Sequence, residues 1–282
     1  MPPLTKELPF IESSGIDQLI TVISAFALKP AYMVFSLILI LVLEKSILRE
    51  LKILRWGLIA FLAGEIFCAI NYLFYQEESW IVEYLHSWGM AACFSLTIFS
   101  LVEFTDAQLL QYSVPDKKCA LLHLCRKCHK NQDVACKLHA IFKFLIIAFI
   151  LIGFIPLLVE LTPVSYNTMI YGTQYNYKHL EINQWNELRL LPCLGMFSLV
   201  VSFFIFVTRR GNFVQSAKIW FCAGAGLLGF SMFRLVLFFA YRNNLTWFVF
   251  WEELTEMLYI LSIALFLYQF RESVFRKNIL VA

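Results

Sequence analysis

The sequence predicts an all-α fold, a polytopic bundle of seven transmembrane helices with the N-terminus outside, the C-terminus in the cytoplasm and a Cys-rich cytoplasmic loop. Three observations predict it. Of 282 residues, 60% are hydrophobic and 15% charged, with 28 phenylalanines, more apolar surface than a water-soluble core of this length buries. Seven apolar stretches of bilayer-spanning length fill most of the chain. Basic residues crowd every second connection between them. In hydrocarbon an unpaired backbone group costs several kcal/mol, so each stretch is expected to be a helix.

The spans are expected at Lys29–Ile47, Arg55–Tyr75, Trp80–Glu103, His139–Leu161, Leu190–Val207, Lys218–Tyr241 and Thr246–Phe270. Each is near the ~20 residues that a helix rising ~1.5 Å per residue needs to cross hydrocarbon. Ahead of the first, Ile16–Leu28 reads as a short amphipathic outer helix broken at Pro30, whose ring and missing N–H interrupt a helix. Met1 to Asp17 carries Glu7, Glu12 and Asp17 against Lys6, unlike the basic leader of a cleaved signal, so no removed segment is expected.

Orientation follows from the connections. Lys45, Arg49, Lys52 and Arg55 lie in the first; Lys117, Lys118, Arg126, Lys127, Lys130 and Lys137 in the third; Arg209, Arg210 and Lys218 in the fifth; Arg271, Arg276 and Lys277 in the tail. The alternate connections hold few basic residues, Lys178, Arg189 and Arg242 among them. The basic side is the cytoplasmic one. Tyr72, Tyr75, Trp80, Tyr84, Trp185, Tyr241 and Trp247 fall where an outer interfacial belt is expected, and Trp56 at the inner one. The outer connection, residues 162–189, is rich in tyrosine, with Tyr166, Tyr171, Tyr175 and Tyr177, and reads as an interfacial loop or a cap over the outer mouth. Residues 1–282 are expected to form a single membrane domain without internal repeats.

The cytoplasmic loop, residues 104–138, holds four of the eight cysteines: Cys119, Cys125, Cys128 and Cys136. Cytosolic thiols are normally reduced, which disfavours disulfides, and the Cys125-x-x-Cys128-His129 haem-attachment spacing belongs to chemistry on the opposite side of the membrane. Thiolate ligation remains. Cys125, Cys128, Cys136 and His139 give two facing chelating pairs suited to zinc. Exchanging His139 for Cys119 gives a four-thiolate set that suits zinc or an iron–sulfur cluster. Free thiols without metal are the alternative. Cys68, Cys93, Cys193 and Cys222 lie within spans and read as packing residues.

Ionisable groups inside spans cost at least ~2.5–3.5 kcal/mol each and mark cavities or partners. Glu65 and Asn71 occupy the second span, Glu83 and His86 the third, Arg234 the sixth, and Glu252, Glu253 and Glu256 the seventh. Counting ~1.5 Å per residue, four helices supply these groups to one layer of the outer leaflet. Four deep carboxylates against one arginine and one imidazole leave negative charge to be protonated, hydrated or offset by a cation. A purely structural network built on one buried salt bridge is the alternative. Glu83 and His86 also have the Glu-x-x-His spacing of helical-bundle metal sites, in a single copy where such sites usually use two.

Other patterns are excluded by context. Gly224-Ala-Gly226-Leu-Leu-Gly229 has dinucleotide-loop spacing but lies within a span, where small residues admit close helix approach. The Asn244-Leu-Thr246 sequon is uninformative so near the bilayer. No phosphate-binding loop, nucleophile elbow or H-E-x-x-H occurs, and the basic loops suit anionic lipid, which makes nucleic acid an unneeded partner. The expectation is an integral membrane protein whose partners are the bilayer and a proton, cation or small polar ligand bound in an outward-facing cavity, acting in transport or sensing. A membrane oxidoreductase with an iron–sulfur loop and an intramembrane metal or quinone site, or an assembly scaffold, are the alternatives.

Overall fold

The computed structural model of the chain describes residues 9–75, 78–111, 137–208 and 214–271. Seven long helices and one β-hairpin make up the described residues: α1 (Gly15–Glu44), α2 (Arg49–Tyr75), α3 (Trp80–Leu110), α4 (Lys137–Leu158), β1 (Val164–Ile170), β2 (Thr173–His179), α5 (Glu181–Thr208), α6 (Val214–Tyr241) and α7 (Leu245–Gln269). By length and apolarity α1 to α6 can each cross a bilayer. The expectation of seven spans is therefore met in six, because α7, 25 residues long, carries Glu252, Glu253 and Glu256.

Pro30 does not break the first helix, contrary to expectation. Residues Ser24–Leu28 form a single wider turn in which Lys29 N–H bonds back to the carbonyl of Ser24, and the helix then runs on to Glu44. The wider turn accommodates the proline's missing donor and bulky ring, so α1 starts at Gly15 and not at Lys29. Ser14 and Asp17 cap its start reciprocally. Ser79 and Asn244 cap α3 and α7 through their side-chain oxygens.

Close helix contacts occur at glycines. An added Cβ on Gly89 of α3 would lie 2.8 Å from the Cα of Gly64 on α2, and one on Gly226 of α6 would lie 2.3 Å from Oγ of Ser95 on α3. The Gly224–Gly229 pattern therefore packs helices, as its place in a span implies. α3 packs on α2 and α6, α6 also meets α4, α5 and α7, and α1 lies against α2 and α7. Arg189 near the start of α5 donates to the carbonyls of Pro156 (2.5 Å) and Val159, capping the end of α4.

The tyrosine-rich connection, expected as an interfacial loop or a cap, is a β-hairpin. Its two-residue turn, Tyr171 at φ 46° and Gly172 at φ 80°, has the left-handed pair that matches strand twist. Tyr166 and Tyr177 pack with Leu237, Phe238, Leu245 and Phe248 over the ends of α6 and α7. Residues 9–11 run alongside β1, with Ile11 N–H bonding to Asn167 O at 2.8 Å and Asn167 N–H to Pro9 O at 2.9 Å. Hairpin and N-terminal segment together cover this end of the bundle.

Candidate functional site

Helices α1, α2 and α7 turn charged side chains toward one another. Glu65 on α2 and Glu253 and Glu256 on α7 bring carboxylate oxygens within 4.8 Å of one another. All three are enclosed, at 0%, 6% and 4% exposure respectively. α1 supplies the cation. Lys29 Nζ lies 2.7 Å from Glu65 Oε2, 3.0 Å from Glu253 Oε1 and 3.4 Å from the sulfur of Cys68. One turn on, the Tyr32 hydroxyl stands between the same two acids, 2.6 Å from Glu65 Oε2 and in contact with Glu253 Oε2.

His86 on α3 closes another side. Its Nδ1 is 3.0 Å from the carbonyl of Gly64 and 3.7 Å from Glu65 Oε1, so the ring is anchored to backbone beside the acid. The close approach of α2 and α3 at Gly64 and Gly89 makes that contact geometrically available. Glu65 Oε1 and Glu256 Oε2 are buried without a hydrogen-bond partner. Buried polar atoms are normally paired, which marks these two for explanation.

A second centre lies alongside. Arg234 of α6 pairs with Glu187 of α5 (Nε to Oε1, 2.9 Å) and with Glu252 of α7. The Phe248 ring lies 5.0 Å from its guanidinium carbon. Ser231 donates to the carbonyl of Glu187 at 2.7 Å. Above it, His179 packs between Phe238 and Phe248, with ring centroids 5.1 and 5.4 Å away. Burial there, reinforced by the positive charge of Arg234, pushes the imidazole down to about 3, so it is neutral in ordinary conditions.

The sequence-derived residues thus divide. Glu65, Glu253, Glu256 and His86 come together; Arg234 and Glu252 form the neighbouring pair; Asn71 donates to Glu83 Oε2 at 3.2 Å. Glu83 and His86 do not converge on one point despite their spacing, because Glu83 turns to Asn71 and His86 to Gly64. Of the four deep carboxylates Arg234 meets one, Glu252, and its other partner is Glu187. Cys119, Cys125, Cys128 and Cys136 lie outside the described residues, as does the side chain of His139, the third residue of α4.

Lys29, Tyr32 and Glu187 belong to these centres and escape a sequence reading. Lys29 looks like a span boundary only if Pro30 ends the preceding helix; joined to Ile16–Leu28, it stands at the middle of a 30-residue apolar helix. Glu187 sits in a connection until α5 is extended back to Glu181.

Beneath the carboxylates the Tyr259 hydroxyl meets Thr97 Oγ1 at 2.6 Å and Cys93 Sγ at 3.0 Å. Further along, Leu51, Leu54 and Leu58 of α2 are fully buried in the apolar cluster that also holds Phe61, Phe104 and Ile260. No protein-family model, curated protein sequence or solved structure gives a significant match to the chain.

Proposed function

We propose that the chain is a membrane protein in which all seven helices cross the bilayer and the enclosed Glu65–Glu253–Glu256 group takes up and releases a proton or small cation from the outer side, in transport or sensing. The spacing of the three carboxylates carries this reading: their oxygens lie within 4.8 Å of one another, and Lys29 is the one lysine or arginine paired with any of them among the described residues. Charge so buried is costly unless matched, and a purely structural role would be served as well by an apolar packing of the same volume. Between Glu65 and the basic end of α2 the buried positions Leu51, Leu54, Leu58 and Phe61 are all apolar, which favours access from the hairpin end. α7 crosses with the rest because its glutamates face Lys29, Tyr32 and Arg234 within protein and not lipid.

The Cys125, Cys128, Cys136 and His139 spacing supports a zinc site, and the exchange of Cys119 for His139 an iron–sulfur one, as a cytoplasmic metal-bearing loop of the same protein. For the main reading, the purified chain is reconstituted in vesicles and proton or sodium exchange is followed with internal indicators or by binding at the outer face. Wild type is expected to exchange or bind one of these ions and Glu256→Gln to lose it, with insertion unchanged. Equal behaviour of the two proteins discards the reading.

A further inference from the structure

We infer that the ligand of the enclosed cluster is the proton, and that the cluster holds two of them: one on Glu253, passed through Tyr32 toward Glu65, and one on Glu256. The inference rests on the proposed ion-exchanging role of this site and specifies its ligand. It comes from counting donors against acceptors.

Lys29 has three N–H donors, and three acceptors lie within reach of Nζ: Glu65 Oε2 at 2.7 Å, Glu253 Oε1 at 3.0 Å and Cys68 Sγ at 3.4 Å. The ammonium is fully committed and has no donor left for Glu256. It also occupies the space between Glu65 and Glu253 where an external cation would otherwise sit, so the cluster already contains its own cation.

Tyr32 has a single O–H, yet its oxygen is in hydrogen-bond contact with Oε2 of both Glu65 and Glu253. One hydroxyl proton satisfies one of those contacts; the other needs a proton on the acid. Glu65 Oε2 is the oxygen that accepts from Lys29 at 2.7 Å, so it is the ionised end. The extra proton belongs to Glu253 Oε2, which donates to Tyr32, which donates to Glu65. A concerted shift along Glu253–Tyr32–Glu65 moves the proton from one acid to the other with no net change of charge.

Glu256 has no ion-pair partner among the described residues and its Oε2 is without a hydrogen bond, in a side chain whose exposure is 4%. An isolated carboxylate buried this way is strongly disfavoured, and a carboxylic acid is not. The other titratable groups near the cluster face elsewhere: His86 bonds to the Gly64 carbonyl and lies beside Glu65, 3.7 Å from Oε1, and Glu252 on α7 is held by Arg234. With Glu65 ionised against Lys29 and two protons on Glu253 and Glu256, these four side chains are neutral together, the state least costly in a low-dielectric interior.

The test is infrared difference spectroscopy of the full-length protein in lipid at neutral pH, reading the deuterium-sensitive carbonyl stretch of protonated carboxyls. Glu256→Gln and Glu253→Gln are each expected to remove one band, and Lys29→Met to add one, as Glu65 takes up a proton once its counter-charge is gone. Where a glutamine variant does not fold, the aspartate variant at the same position shifts its band instead. Absence of protonated-carboxyl bands in wild type, or glutamine variants that leave the spectrum unchanged, overturns the assignment. A one-to-one manganese ion titratable into the wild-type cluster overturns it as well. Two bands in a protein that exchanges no ion support the proton count and remove the transport or sensing role; exchange without the bands does the reverse.

Discussion

The residue that most clearly separates the two buried centres is Arg234, because it serves Glu187 and Glu252 at once and the Glu65 group not at all. Removing one member of a buried ion pair strands the other, at about 3–5 kcal/mol. Arg234→Met is expected to destabilise the protein by about that amount in thermal or denaturant unfolding, and Arg234→Met with Glu187→Leu to recover part of it. Glu256→Gln is expected to behave oppositely: an amide replaces an uncharged acid, so unfolding moves little while ion exchange is lost. His179 gives a third expectation. Its imidazole is pushed down to about 3 by burial from an unfolded value near 6.5. The unfolded state therefore binds the proton first, so the full stability is present above about pH 6.5 and declines as pH falls from there toward 3. Carboxylates titrate in the same window, so the signal is the difference between wild type and His179→Phe, whose melting temperature is expected to fall less on acidification.

At the scale of elements, helix identity and order were legible because apolar runs of this length have few alternatives in a bilayer. Boundaries are less so, and two of them bear on the site. A proline normally ends a helix, and a wide turn of the Ser24–Leu28 kind leaves no mark in composition, so Lys29 and Tyr32 passed for the edge of a span. The hairpin's period of two is present but diluted: Tyr166, Tyr175 and Tyr177 share the inward face, yet Thr168 and His179 share it with them, so the buried side does not stand out as apolar. The glycines were readable, and they yield a prediction: at Gly226 an added Cβ meets Ser95 Oγ at 2.3 Å and its Cα at 2.4 Å. Gly226→Ala is expected to cost about 1–3 kcal/mol by overpacking the α3–α6 contact, visible as a lowered melting temperature. Gly229→Ala, whose added atom meets Phe94 at an ordinary 3.7 Å, is expected to have little effect.

For the whole molecule, the layer of acids anticipated from depth counting resolves into two neighbouring centres, distinguished by which basic residue each contains. Depth along a helix is a one-dimensional quantity, whereas partner choice depends on rotation about the axis; adjacent residues Glu252 and Glu253 are ~100° apart and so face Arg234 and Lys29 respectively. Orientation in the membrane rests on the basic connections, and predicts that a cysteine introduced at Ser13 is labelled from outside intact cells by an impermeant maleimide, while the thiols of residues 119–136 are not. The buried carboxylates are expected to exchange protons with the outer aqueous phase. A pH step applied to the outer face of oriented vesicles adsorbed on a capacitive electrode reads that exchange, since a proton entering a site within the membrane moves charge whether the protein transports or senses. Wild type is expected to give a transient current that Glu253→Gln with Glu256→Gln abolishes; a current of the same size in the double variant rules proton exchange at these carboxylates out.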